Sequence, residues 1–206
     1  MQPLLLATRN ANKTREFREL LGKDFDMHDL SFFDEMRIPK ESGRTFEENA
    51  ILKAVAASQH RPVQDRHLLV VADDSGLEVT ALGGAPGILS ARYAGEHASD
   101  KENIDKLLSE LARTNVPLDQ RSARFRCVIA VAREGKLLGK FEGIVEGSVV
   151  ELPRGSRGFG YDPIFLPNGF DKTFGESPSE LKNQISHRAR AIRAFRAGLA
   201  AAQRGD

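Results

Sequence analysis

Residues 70–91 read VVADDSGLEVTALGGAPGILSA, an apolar run that closes on two adjacent carboxylates, Asp73 and Asp74, with several glycines behind them. The apolar run predicts a strand, and the acids followed by glycines predict that it delivers both carboxylates to a tight turn. Burying an unpaired carboxylate costs on the order of several kcal/mol or forces protonation, so a cation is expected at the tip. Hard oxygen ligands of this type suit magnesium. In isolation the same pair also describes an ordinary strand end with an Asx turn or helix cap, so the rest of the chain must decide.

A chain of 206 residues can bury one substantial core, and no linker divides it, so one domain spanning 1–206 is expected. Lysine and arginine number 30 against 29 acids, a balance too even to hold a nucleic acid, and any phosphate site must be local. Two tyrosines and no tryptophan give little for base stacking along a strand of nucleic acid. The single cysteine, Cys127, has no partner in the chain for a disulfide and reads as one position of a buried strand, which fits a reducing compartment. No stretch approaches ~18 consecutive apolar residues, and the N-terminus carries no small-residue cleavage pattern. A cytoplasmic protein without a membrane partner is expected.

The order of elements follows from periodicity and caps. Residues 3–8 form an apolar strand, polar RNANK follows, and Phe17, Leu20 and Leu21 recur at helical spacing. Thr45 and Glu48 match a capping box ahead of Ile51, Ala54 and Val55, and Ser99 with Glu102 repeats it ahead of Ile104, Leu107, Leu108 and Leu111. Residues 68–72 supply the strand that carries the acids. Phe125, Cys127, Ile129 and Val131 alternate as a strand, Gly135 and Lys136 mark a turn, and residues 136–150 supply one or two return strands. A glycine-rich loop over 152–163 leads to a short strand at 164–166. Ser177 as cap, Pro178 at the first helical position and Glu180 open another helix, and Ala189, Ile192, Phe195 and Leu199 mark a closing amphipathic helix. Strand-helix units around a central hairpin predict an α/β fold with a mixed sheet flanked by helices.

Four segments carry chemistry. Thr8, Arg9, Asn10, Ala11, Asn12 and Lys13 place a hydroxyl, amides, backbone N–H groups and a lysine at a helix start, which attracts anions, although the P-loop pattern is missing. Glu41, in KESG before the second helix, can share a metal with the Asp pair, because magnesium keeps waters and takes further ligands from phosphates. Phe159, Gly160, Tyr161 and Asp162 set aromatics among glycines, where a flat ligand can approach the backbone or the rings can plug the core. Lys182, His187 and Arg188 gather donors near a helix boundary. His28, His60, His67 and His97 lack metal-type spacing and read as surface or packing residues.

Together these segments closely resemble the inosine triphosphate pyrophosphatase family, which hydrolyses non-canonical purine nucleoside triphosphates. The resemblance runs through LATRNANK, ESGRTFEENAILKA, ADDSGLEVTALGGAPGILSARYAG, GFGYDPIFLP and KNQISHRARA, in that order, over nearly the whole chain. The family often has glycine where Arg9 or Asn12 stands here; the lysine that follows is retained. The resemblance implies that Thr8 to Lys13 cradle the triphosphate, that Glu41 and Asp74 hold Mg²⁺, and that Asp74 is the general base with Ser75 beside it touching substrate. Phe159 to Asp162 correspond to the base-stacking loop, and Lys182, His187 and Arg188 to the group that reads the base edge. It also implies an elongated two-lobed fold with the active site in a cleft between lobes, and a homodimer.

The chemistry can be argued from the residues as well. Water attacking phosphorus needs charge neutralisation and an aligned nucleophile, and Asp74 can serve as proton acceptor or as metal ligand. Hypoxanthine and xanthine present a 6-oxo acceptor where adenine presents an amino donor, so donors at that edge reject adenine but not guanine; discrimination against GTP then falls to the 2-position. A pyrophosphatase of pyrimidine triphosphates would use similar phosphate parts. A non-catalytic nucleotide sensor would keep Lys13 and Phe159 but gain little from Glu41 and Asp74.

Overall fold

The computed structural model describes residues 1–33, 36–37 and 39–204. The N-terminal apolar run forms β1 (Gln2–Leu6), with Leu4, Leu5 and Leu6 fully buried. A strand without a polar face belongs inside a sheet covered on both sides, and β1 pairs in parallel with β2 (Phe25–Asp29) on one edge and β3 (Leu69–Val79) on the other. The crossover between β1 and β2 is α1 (Ala11–Leu21). Two helices, α2 (Phe46–Ser58) and the single turn α3 (Arg61–Gln64), precede β3. α4 (Asp100–Arg113) separates β3 from β4 (Ser122–Arg133), and β5 (Lys136–Val149) follows β4 across a two-residue turn. Glu134 and Gly135 in that turn have φ of 50° and 78°, the left-handed pair that a tight hairpin requires. β6 (Phe165–Pro167) lies antiparallel on β5, and α5 (Ser179–Ile185) and α6 (His187–Arg204) complete the chain. The six strands run in the order β2-β1-β3-β4-β5-β6, the mixed α/β sheet expected.

The chain forms two compact units: Met1–Asp74 with Cys127–Gly143 and Ala189–Asp206, and Ser75–Arg126 with Ile144–Arg188. Each has its own core. In the first, Leu4, Leu6, Phe17, Cys127, Ile129, Ile192 and Phe195 pack together; in the second, Leu77, Leu107, Leu111, Phe125, Phe165 and Phe174 do so. Full burial of each such side chain stabilises by about 1.5–3 kcal/mol. The thiol of Cys127 is buried in strand β4, as its setting predicted.

Several local expectations need correction. β3 does not end at Asp73 and Asp74 but continues to Val79, so the acids sit mid-strand. The glycine behind them is not a turn: a Cβ on Gly76 would lie 2.3 Å from Ser90 Oγ and 2.5 Å from the Gly87 carbonyl oxygen. That approach lets the Ser90 hydroxyl accept from Leu77 N at 3.0 Å and donate to Gly87 O at 2.6 Å. Of the one or two return strands expected after β4 the structure has one long strand, and β6 starts one residue later than the apolar run predicts. Pro178, not Ser177, is the cap of α5, because the Ser177 hydroxyl donates back to Thr173 O. At α4 the capping box is complete, whereas at α2 Thr45 caps Glu48 N and the Glu48 carboxylate reaches Arg44 N instead. Among the described residues, no helix is long and apolar enough to cross a membrane.

Candidate active site

Successive side chains of a strand point to opposite faces, and in β3 this sends the two acids to different helices. Asp73 meets Lys13 of α1, with Nζ 3.0 Å from Oδ2 and 3.1 Å from Oδ1. Asp74 meets α2: Asn49 Nδ2 donates to Oδ2 at 3.0 Å, and Lys53 Nζ lies 3.7 Å from Oδ1. The same ammonium is 2.7 Å from Glu41 Oε1. Asn49 also fixes the Glu41 segment, since its Oδ1 accepts from Gly43 N at 2.8 Å, and a Cβ on Gly43 would crowd that oxygen to 2.7 Å. Glu41 and Asp74 thus meet on one ammonium, that of Lys53, whereas Lys13 pairs with Asp73.

Burial shapes the charges here. It drives the Asp74 carboxyl above the ordinary carboxylate value and Glu41 adds to the rise; Lys53, Lys13 and the Asn49 bond offset only part of it. Burial also opposes the Lys53 charge, but Asp74, Asp73 and Glu41 outweigh it and raise its pKa. Sequence reasoning missed Lys53 and Asn49. The signal was available: they stand four apart on α2, on a face otherwise made of buried Phe46, Ala50, Ala54 and Ala57.

The loop ahead of α1 is organised by its own polar groups. Asn10 caps the helix, accepting from Asn12 N at 2.9 Å and Lys13 N at 3.1 Å, and its own N–H donates to Thr8 Oγ1 at 3.2 Å. No acid occupies the first turn, so the positive end of the helix dipole is not countered from within it. Ala11 is exposed, Asn12 Oδ1 accepts from Arg15, and Arg9 Nη2 donates to Met36 O at 3.0 Å.

In the second unit the 158–162 loop closes on Asp162. Its Oδ2 accepts from Phe159 N at 2.9 Å and pairs with the Lys182 ammonium, and both charged groups are buried. Gly158 has φ +75°, and a Cβ there would fall 1.9 Å from Asp162 Oδ2, so this position demands glycine. Gly160 N donates to Asp100 Oδ2 at 2.7 Å, tying the loop to the start of α4. Over the half-buried Phe159 ring stand two cations, Lys182 Nζ at 5.1 Å and Arg188 Cζ at 5.6 Å from the centroid. Arg188, 1% exposed, donates from Nη2 to Ser75 Oγ at 2.8 Å. His187 stacks on Phe125 at 4.7 Å between centroids. The break at Ser186, extended at φ −65° and ψ 160°, separates α5 from α6 and sets Lys182, His187 and Arg188 on two helices.

Tyr161 does the structural job allowed for the loop's aromatics. Its ring belongs to the second core and its hydroxyl donates to Ser90 O at 2.9 Å, leaving Phe159 as the half-buried ring. The remaining histidines behave as packing or surface groups where partners are described: His60 packs edge-on to Phe33, His28 stacks on Phe32, and exposed His67 faces Glu134. Among the described residues, no group of three His, Cys, Asp or Glu side chains is arranged to hold a metal ion.

Residues 4–198 match the model of the Ham1 family. The chain is 46% identical to the dITP/XTP pyrophosphatase of Bacillus subtilis, over 94% of each chain. It is 49% identical to that of Geobacillus kaustophilus, over 93% of this chain and 91% of the relative. The structure of the Staphylococcus aureus Ham1 protein superposes with a TM-score of 0.83 at 41% identity, covering 97% of this chain and 99% of the other.

Proposed function

The chain belongs to the Ham1 family, and from that premise we propose how its residues divide one purine nucleoside triphosphate between them. The protein hydrolyses non-canonical purine nucleoside triphosphates, the activity that the names of its relatives carry. In our reading the two units make one nucleoside triphosphate pyrophosphatase domain, which takes ITP, dITP and XTP to the monophosphate and pyrophosphate.

Thr8 to Lys13 bind the triphosphate, with the α1 N-terminus and the Lys13 charge facing its oxygens. Asp74 accepts the proton of the attacking water. The observation that supports this role is the placement of Asp74, a buried carboxylate oriented by Asn49 Nδ2 at 3.0 Å and facing the Lys53 ammonium at 3.7 Å, where burial raises its pKa above the ordinary value. Magnesium fits the donors present: Glu41 and Asp74 offer hard oxygens, and one cation, the Lys53 ammonium, already lies against both. Glu41 and Asp74 would hold the ion, which when bound supplies charge neutralisation at the phosphates.

At the base end Phe159 stacks on the purine, with Gly160 and Asp162 shaping the loop, and Lys182, His187 and Arg188 donate toward the 6-oxo edge. Donors at that edge repel the 6-amino group of adenine. Ser75 touches substrate next to the general base. We also read the protein as a cytoplasmic homodimer, the single, buried Cys127 being consistent with a reducing compartment.

The test is direct. Purified protein with ITP and Mg²⁺ is expected to release pyrophosphate, not orthophosphate, and to turn over ITP and XTP far faster than ATP. Release of orthophosphate, or equal rates with ATP, would overturn the reading. Arg188→Ala with undiminished ITP efficiency would remove Arg188 from base recognition.

A further inference from the structure

We propose that the Asp29–Thr14 pair is a positioning clamp that holds the triphosphate cradle; this rests on the reading of residues 8–13 given above. The cradle runs from the end of β1 into the first turn of α1, and the end of β2 grips it on both sides. On the near side, Leu30 N donates to Thr8 O at 3.2 Å. On the far side, the buried Thr14 hydroxyl donates to Asp29 Oδ2 at 2.8 Å. Asp29 is itself held, because its Oδ1 accepts from both the backbone N–H and the hydroxyl of Ser31.

The parallel register puts this grip where it is needed, since Asp29 stands opposite Leu6, two residues before Thr8. Neither Asp29 nor Thr14 belongs to the polar sets assigned to substrate, Mg²⁺ or proton transfer. Both fix the backbone that presents Asn10, Asn12 and Lys13. A threonine in α1 packed only for its methyl group would not need an acid opposite its hydroxyl, and an Asp capping the turn after β2 needs only Ser31. The bond between them joins two elements whose shared neighbour is the cradle.

A loosened cradle weakens tail contacts in the ground state and the transition state alike, which raises KM and leaves kcat in place. A merely structural role predicts the reverse, a smaller active fraction with lower apparent kcat at unchanged KM. Thr14→Val, isosteric but without the donor, is therefore expected to raise KM for ITP about tenfold with kcat within about twofold. Thr14→Ser, which keeps the hydroxyl, should return KM to near the wild-type value. Inhibition by the product pyrophosphate should weaken by the same factor as KM in Thr14→Val, while inhibition by inosine monophosphate stays constant.

Should Thr14→Val lose thermal stability, Asp29→Ala measured below its own melting transition gives the same KM-against-kcat split. Unchanged KM in both variants, or equal loss of pyrophosphate and monophosphate inhibition, would overturn the clamp. Wild-type protein that fails to turn over ITP would instead overturn the functional reading, so the two failures are distinct.

Discussion

Lys53 Nζ lies 2.7 Å from Glu41 Oε1, so the helix that follows the KESG segment supplies a cation to an acid twelve positions before it. With Asp74 Oδ1 at 3.7 Å, that ammonium is the counter-charge of a carboxylate pair that would otherwise repel itself.

Removing this charge should move the pH dependence of catalysis. In Lys53→Met, burial and Glu41 remain but the largest opposing charge on Asp74 is gone, so Asp74 takes a proton more readily. The acidic limb of the kcat/KM profile is expected to shift to higher pH, with the neutral-pH rate below wild type. A full pH profile checks this, and an unmoved acidic limb would separate Asp74 from proton acceptance.

Asp74→Asn should cost activity without costing stability. Burial and then Glu41 raise the folded-state pKa of this acid above its ordinary 3.8, so between the two values the folded chain binds more protons than the unfolded one. Stability contributed by Asp74 therefore falls as pH rises through that window, and at neutral pH the ionised group is a net cost. The amide removes the cost. We expect kcat to drop by about 10²–10⁴-fold, the usual range for a lost general base, with a melting temperature at pH 7.5 no lower than wild type. Calorimetry beside a pyrophosphate assay reads both; a markedly lower melting temperature would contradict the sign.

Asp29 carries the opposite sign. Burial opposes its charge, but the hydroxyls of Ser31 and Thr14, the Ser31 N–H and Arg18 outweigh that and lower its pKa below 3.8. Its stabilising contribution is fully present above the unfolded value and is lost as pH falls through the folded one. The melting-temperature gap between wild type and Asp29→Ala should be open at pH 7 and narrow as acid is added below pH 3.8.

Gly158→Ala tests the base loop. The new methyl would meet Asp162 Oδ2 in a backbone held at φ +75°, so either the loop or the Asp162–Lys182 pair must move. A left-handed non-glycine residue costs about 1–3 kcal/mol where the surroundings hold it, and a displaced Phe159 should raise KM for ITP. Denaturant unfolding and steady-state kinetics measure the two effects; wild-type values in both would show that the loop relaxes freely.

Much of the fold was legible because local rules act on adjacent residues. The burial of β1, the capping box at Ser99 and Glu102, and the Gly135 turn each depend on a few neighbouring side chains, and each was found where the pattern placed it. The misreading of β3 has a long-range cause. Asp73, Asp74 and Gly76 look like a strand end because acids and glycine disfavour strands, but Lys13, Lys53 and Ser90, distant in sequence, supply the partners that let β3 continue. For Tyr161, where ligand and core roles both stood open, the Ser90 carbonyl and the second core supply the partners.

From the sequence alone came candidate chemistry-bearing residues, without Lys53 and Asn49, together with the order of elements and the family resemblance, since motif order and periodicity survive in one dimension. Only the tertiary structure decided which cation faces which acid. A pKa depends on burial and on charges within a few ångströms, and those neighbours come from helices separated from β3 by up to sixty residues.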